Sequence, residues 1–437
     1  MKKKIVFIGA GSATFTRKIV NDILSYPSLS DSTIALVDIN PENLDVAKRI
    51  VTKIIDARKC SATIVTTTDR KQVLEGADGV VCTIQVGSQK QIMADYEIPK
   101  KYGININVGD TRGPSGIFRF LRTAPVMLDI CRDIEKYCPD AVFCNYTNPM
   151  SMLCRLMMSE SKTNVVGLCH SIPHTQQMLA RWLEIPHQEL DYVVAGINHQ
   201  AWFLKLTHNG RDMFPKLREI VQKPEIANEE QVRNEMFNHL GYYVTESSGH
   251  NSEYNWWFRK TPELIERFCT HGTGWNPGAE WVHFFDKDPV ATKKQNFETW
   301  LNEPIDLNRS TEYISHIFNA TIGDGALFQF TGNVRNFGLI DNLPTGSVVE
   351  VPVLAEKSGL KSVHIGELPK QLAALNAVNC FCDDMAVEGE ITGDPQKIMH
   401  AITYDPLTAA VLGLDEIRSM VREMFEASKE WLPKFKI

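Results

Sequence analysis

The chain opens with a strand that runs straight into a two-glycine turn. Met1-Lys-Lys-Lys-Ile5-Val-Phe-Ile8 is a short β-rich run, and Gly9-Ala10-Gly11 follows without a spacer. Such a start makes a strand stop abruptly and hand over to a helix whose first amides face an anion. Glycine serves the tight turn at the first position and close backbone approach at the second. A second apolar run, Thr33-Ile-Ala-Leu-Val37, closes on Asp38, 27 residues after Gly11. That is near the spacing of a carboxylate that holds the ribose hydroxyls of a bound dinucleotide. An acid there favours NAD over NADP, because a 2′-phosphate would meet a negative charge. The third glycine of the fingerprint would fall at position 14, which is Thr14. A two-glycine turn alone fits an ordinary strand–turn–helix equally well. The flanking strand, the amphipathic stretch Phe15–Leu24 and Asp38 together favour nucleotide binding.

Strand and helix then alternate. Strands are expected at Thr33–Asp38, Ala62–Thr66, Gly79–Gln85, Ala141–Asn145, Val165–Leu168 and Val193–Ile197. Helices are expected at 15–25, Pro41–Ala57, Arg70–Leu74 and Ile117–Lys136. This βαβ rhythm predicts a doubly wound parallel sheet of the Rossmann type. Past residue 200 the rhythm breaks into helical stretches, aromatic loops, a β-like Ser347–Val353 and one amphipathic helix over Leu407–Leu432. The fold class is therefore α/β, followed by an α+β part. With 437 residues the chain exceeds one ordinary core. It is divided as 1–195, a nucleotide-binding domain, and 196–437, a domain for substrate, metal and oligomerisation.

Net charge is −7, with no basic block, which argues against nucleic acid and anionic membranes as partners. The apolar run after the three lysines is too short for a signal peptide, so a cytoplasmic protein is expected. No stretch approaches the length of a membrane span. The ten cysteines are scattered without a Cys-x-x-Cys pair, and read as reduced thiols.

Polar clusters recur at the carboxyl ends of the strands, the edge where such sheets bind ligands. Cys169 and His199 each follow a predicted strand, 30 positions apart, so one βα excursion can bring them together. Thiolate with imidazole suits a borderline divalent metal, and a site with two protein ligands leaves positions open for substrate oxygens. A buried cysteine and a core histidine is the plainer alternative. Asn148, before Pro149, is either an Asx-turn or a ligand for sugar hydroxyls, since an amide both donates and accepts. The run Asp110–Gly116 is a plain turn or a backbone cradle. Arg119 and Arg122, three apart on one helical face, are either a solvated face or an anchor for substrate or sheet, and the solvated face is favoured.

Several blocks then occur in a telling order: Gly9-Ala-Gly-Ser12, Asp110-Thr111 with Gly113-Pro-Ser-Gly116, Leu121-Arg-Thr123 and Asn145-Tyr-Thr-Asn-Pro-Met150. After them come Gly167-Leu-Cys-His-Ser171, Gly196-Ile-Asn-His199 and Gly332-Asn-Val-Arg-Asn336 with Asp341-Asn-Leu-Pro344. Together they resemble glycoside hydrolase family four, most closely its bacterial α-galactosidase branch. The resemblance implies a substrate domain like that of lactate and malate dehydrogenases, and homo-dimers or homo-tetramers. It also implies hydrolysis of a small α-glycoside outside the two-carboxylate scheme. In that chemistry C3 of the sugar is oxidised by NAD and the C2 proton becomes acidic. The glycosidic oxygen then leaves by elimination, water adds at C1, and hydride returns to C3. A divalent metal, usually manganese, acts as Lewis acid at the C2 and C3 oxygens.

Carried onto this chain, the resemblance implies Cys169 and His199 as metal ligands. It implies Gly9, Gly11 and Asp38 as cofactor residues, with Ser12, Asn40 and Gln85 assigned beside them. Asn148 is implied as a sugar ligand, with Asp110 and Arg335 assigned to the same role. Phospho-sugar members carry Asp after the metal cysteine, whereas this chain has His170. That disfavours a 6-phosphosugar and makes His170 the candidate acid. The base falls within Thr245–Tyr254, where Tyr254 and Glu246 are assigned and Glu253 and His250 stay open. An α-glucoside or α-linked uronic acid is the nearby alternative substrate. An NAD-dependent 2-hydroxy acid dehydrogenase is the alternative of another class, and needs no metal thiolate.

Overall fold

The structure, a computed structural model, describes residues 2–270 and 289–435, with side chains of 289–295 excepted. Six strands open the chain: β1 (Lys4–Ile8), β2 (Thr33–Val37), β3 (Thr63–Thr67), β4 (Gly79–Cys82), β5 (Val142–Asn145) and β6 (Asn164–Gly167). They pair in parallel in the order β6-β5-β4-β1-β2-β3. This is the doubly wound order, with its switch point between β1 and β4. The inner strands are continuous apolar runs because helices cover both faces. Ile5, Val6, Val80, Val81 and Phe143 are all buried.

The sheet does not end at β6. The later strands are β7 (Leu190–Ile197), β8 (Gln200–His208), β9 (Arg211–Asp212), β10 (Tyr243–Val244), β11 (Phe328–Arg335), β12 (Val348–Glu356) and β13 (Gly359–Ser362). Asn333 of β11 lies antiparallel to Gly167 of β6. From there the order runs β11-β12-β7-β8-β10, so parallel and antiparallel parts form one sheet of 13 strands. The expected α/β half followed by a mixed part is what the chain adopts. The C-terminal helices return to the parallel half, where Phe425 packs on Phe118 with ring centroids 4.9 Å apart.

The expected elements are present, with shifted ends. The strand expected over Gly79–Gln85 stops at Cys82, where the Thr83 amide bonds back to Ile8 and the chain turns into the cleft. The helix expected from Ile117 already begins at Gly113 and runs to Tyr137, because Pro114 fits its first turn. The single helix expected over Leu407–Leu432 is two, Pro406–Val411 and Leu414–Ser428. Gly413 divides them: its amide donates to Glu416 Oε2 at 2.9 Å and starts the second helix. Periodicity continues across that break, which is why sequence alone hides it. No helix among the described residues is long and apolar enough to cross a membrane.

Candidate active site

The carboxyl ends of the parallel strands open into a cleft of about 1320 Å³. Because β2 and β6 flank β1 and β4 on opposite sides, the cleft has two ends. At the β1–β2 end, Gly9 has φ +85°, and a Cβ there would sit 2.5 Å from the Thr83 carbonyl oxygen. A Cβ on Gly11 would sit 2.5 Å from Asp38 Oδ2. The Gly11 amide instead donates to that oxygen at 2.7 Å, and the Asn40 amide donates to Oδ1 at 2.9 Å. Asp38 thus ties the first turn to the second. Asn40 caps the helix Pro41–Arg58, its Oδ1 accepting from the Glu42 and Asn43 amides at 2.9 and 3.1 Å. Ser12 stands at the start of the helix Ala13–Ile23 and lines the cleft with Gln85. Thr14 is exposed, so the missing third glycine is accommodated without crowding.

At the β6–β7 end, two strand exits meet. Cys169 leaves β6, and His199 sits in the two-residue turn between β7 and β8. Donor atoms of Cys169, His199 and Glu246 all lie within 4.8 Å of one another, as do those of Asp110, His199 and His250. Glu246 comes from the segment after β10 and has φ +64°. Its Oε2 lies 3.9 Å from His199 Nε2, and its Oε1 lies 3.5 Å from His250 Nδ1. Asp110 approaches from the other side, with Oδ1 3.8 Å from His250 Nε2. The Asn148 amide donates to Asp110 Oδ2 at 3.0 Å, while its own Oδ1 is buried without a partner. A buried orphan acceptor costs free energy unless a ligand satisfies it. Asn148 caps no helix: Pro149 holds that position, after a cis Asn148–Pro149 peptide bond.

Electrostatics divide these groups by role. Burial would raise the pKa of Glu246, but His250, His199 and His170 outweigh it and hold the carboxyl far below its usual range. Burial likewise opposes ionisation of Asp110, and His250, Arg119 and His199 pull it below its ordinary value. For His250 burial lowers the pKa, yet Glu246, Asp110 and Glu253 lift it above the usual histidine value. His199 goes the other way, to about 4, because burial dominates. It is a neutral imidazole with a free lone pair. Burial, then Glu350 and Glu246, push the Cys169 thiol well above its ordinary value. The Ser171 amide, at the start of the helix Ser171–Leu183, donates to its sulfur at 3.4 Å.

Of the residues expected from sequence, Gly9, Gly11, Ser12, Asp38, Asn40, Gln85, Asp110, Asn148, Cys169, His170, His199 and Glu246 line this one cleft. Tyr254 and Arg335 are not among its lining residues. Tyr254 is buried behind His250, ring centroids 6.3 Å apart. Arg335 lies over Phe337, 5.0 Å from the ring centroid. Glu253 accepts from the Asn107, Val108 and Gly109 amides at 2.7–2.9 Å and so shapes the loop before Asp110. The expected solvated arginine face is wrong. Arg122 is buried against Asp95, its Nη1 donating to Oδ1 at 3.0 Å, and Arg119 lines the cleft. The signal was present: Ile117, Phe118, Phe120 and Leu121 surround the two arginines, and the exposed polar positions, Asp129, Arg132 and Lys136, come only in later turns.

Two family models match the chain: family 4 glycosyl hydrolase over residues 4–185, and its C-terminal domain over residues 194–408. The chain belongs to glycosyl hydrolase family 4. An alpha-galactosidase of Bacillus subtilis (strain 168) is 39% identical, across 99% of this chain and all of that protein. An alpha-galactosidase of Rhizobium meliloti (strain 1021) is 36% identical, across 99% of this chain and 89% of that one. Among solved structures, a 6-phospho-alpha-glucosidase from gut microorganisms in complex with NAD and Mn2+ has a TM-score of 0.83 at 18% identity, covering both chains fully. A malate dehydrogenase from Plasmodium falciparum in complex with NADH shares the architecture at a TM-score of 0.51 and 14% identity, over 92% of this chain and 99% of that one. Family 4 membership makes this chain a glycosyl hydrolase. The dehydrogenase likeness is one of fold.

Proposed function

We propose that this chain hydrolyses unphosphorylated α-glycosides, α-galactosides first, with NAD and a divalent cation, manganese foremost. One observation carries the reading. The convergence of Cys169, His199 and Glu246 stands at one end of a cleft whose other end is the Gly9–Gly11 turn tied to Asp38. The cleft exceeds the roughly 300–1,000 Å³ of a single small-ligand pocket, in keeping with a dinucleotide beside a sugar.

Both groups fit the residues present. Thiol, imidazole and carboxylate make a donor set for a borderline divalent ion. Gly9 and Gly11 admit no Cβ, since one would meet Thr83 or Asp38, so the turn lines the cleft with bare backbone. Bound there, NAD would supply a hydride acceptor and donor, and the cation a Lewis acid at neighbouring sugar oxygens. The chain's own groups do the rest. Cys169 gives up its proton to ligate, since only the thiolate binds metal well. Asn148 offers its unpartnered oxygen to a sugar hydroxyl. Glu246, held ionised so firmly, is a weak base and a good ligand. His250, whose pKa Glu246 and Asp110 lift above the ordinary histidine value against the effect of burial, is better matched to moving a proton. His170 faces the cleft at the mouth of the Ser171–Leu183 helix, placed to protonate a leaving oxygen.

The two alpha-galactosidase relatives support galactose over glucose or a uronic acid. The test is a panel of p-nitrophenyl α- and β-glycosides, with uronides and 6-phosphosugars, assayed with NAD, manganese and reductant. We expect α-galactoside turnover that vanishes on chelation and without NAD, and no net NADH. Full turnover without cofactor and cation, or stoichiometric NADH, would refute the reading.

A further inference from the structure

Thr111 stands between two groups of the cluster. Its hydroxyl donates to Asp110 Oδ1 at 2.7 Å and lies 3.0 Å from His199 Nδ1. The residue is buried, and so is His199. A hydroxyl has one proton to give. Asp110 also accepts from the Asn148 amide at 3.0 Å through Oδ2, so both of its oxygens act as acceptors. A carboxylate draws a donor more strongly than a neutral imidazole does. The Thr111 proton therefore goes to Asp110, and the hydroxyl oxygen is left to accept. Only a protonated Nδ1 can donate to it. The neutral ring then carries its lone pair on Nε2, the atom that faces Glu246 Oε2 at 3.9 Å.

We infer that Thr111 is a positioning residue: through the relay His199 Nδ1–H to Thr111 to Asp110 it fixes the tautomer that presents Nε2 to the cation. The inference rests on the metal reading of Cys169 and His199. It goes beyond it by giving a named hydroxyl the task that a carboxylate or carbonyl performs at other metal-bound histidines. A valine at 111 keeps the shape and loses the relay. Ser keeps the hydroxyl and loses the methyl.

The test uses the full-length enzyme with NAD. Free Mn2+ is read by electron paramagnetic resonance during titration, and thermal midpoints are measured on metal-free protein. Thr111→Val is expected to weaken Mn2+ binding about 10–100-fold, with the metal-free midpoint unchanged. Thr111→Ser is expected to stay within about threefold of the parent. Equal affinity in Thr111→Val, or an equal loss in Thr111→Ser, overturns the proposal, the second because packing would then explain it. A measurement free of any folding risk accompanies these variants. Nitrogen-15 histidine spectra of the metal-free parent, with His199 assigned from His199→Gln, report the tautomer directly. Protonated Nδ1 supports the relay, and protonated Nε2 overturns it. If the parent binds no Mn2+, the metal reading falls on its own, and the spectra still decide the tautomer.

Discussion

Glu350 offers the sharpest test of how burial sets charge in this molecule. It sits in β12, fully buried. Asn333 donates to its Oε1 at 3.1 Å, and Asn198 stands near its carboxyl. Burial pushes its pKa from 4.5 up to about 8; bonds from Asn333 and Asn198 oppose this, and Glu246 adds to it. The sign follows from linkage. Below pH 4.5 folded and unfolded chains both carry the proton, and the group costs nothing. Between about 4.5 and 8 the unfolded chain ionises and the folded one does not, so stability falls as pH rises. Each pH unit in that window costs about 1.4 kcal/mol, or about 3 kcal/mol in total at pH 7. Glu350→Gln keeps the acceptor for Asn333 and removes the ionisable proton. A chain of 437 residues has an unfolding entropy near 0.9 kcal/mol/K, so this becomes a gain of about 3 °C at pH 7. Scanning calorimetry of metal-free protein from pH 5 to 8 reads it. The variant should match the parent at pH 5 and pull ahead steadily toward pH 8. Parallel pH profiles, or a variant less stable at pH 8, would refute the argument.

Two further outcomes follow from buried charge and from the first turn. Arg122→Met strands Asp95 without its partner and should cost about 3–5 kcal/mol, read as a lower thermal midpoint; adding Asp95→Asn should restore part of it. An unchanged midpoint in the single variant would contradict a tight buried pair. Asp38→Ala removes the acceptor of the Gly11 and Asn40 amides as well as the proposed ribose ligand. NAD affinity should fall about 10–100-fold, as for lost charged hydrogen bonds, measured by equilibrium dialysis; a change under about threefold would deny Asp38 that role.

The parallel half of the sheet was legible because each requirement is local. A strand, a turn needing no side chains and a carboxylate at the next strand end lie within 38 residues. Cys169 and His199 were legible as strand-end residues, and the sheet brings them together because β6 and β7 both end at the same edge. What pairs around them was not. Asp110 and His199 come from separate loops, and His250 from the short helix Ser248–Asn251. Their mutual distances depend on how the sheet continues from β6 through β11 and β12 to β7. Tyr254 and Glu246 read alike in the sequence, yet only Glu246 faces the cleft, because the short helix Ser248–Asn251 turns the later residue inward. Glu350 was missed altogether. An acid inside Val-Val-Glu-Val-Pro-Val looks like the exposed position of a half-buried strand, but β12 is central, with neighbours on both sides.

The charges at the sugar end form a set that makes sense only as a whole. Their neighbours hold Asp110 and Glu246 toward the ionised form and His250 toward the protonated form, so opposite charges offset one another. His199 is neutral, and the Cys169 thiol stays protonated while no cation draws off its proton. Under the proposed chemistry a divalent ion enters and one thiol proton leaves, which raises the net charge by one. Added positive charge there would favour deprotonation next to a ketone, since negative charge then develops on the sugar. The same balance explains the high thiol pKa. A thiolate at Cys169 beside the ionised Glu246 would be a second buried negative charge, which burial opposes. The raised thiol and the depressed carboxyl of Glu246 are therefore two faces of one arrangement, in which charge is completed by the ligands and not before them.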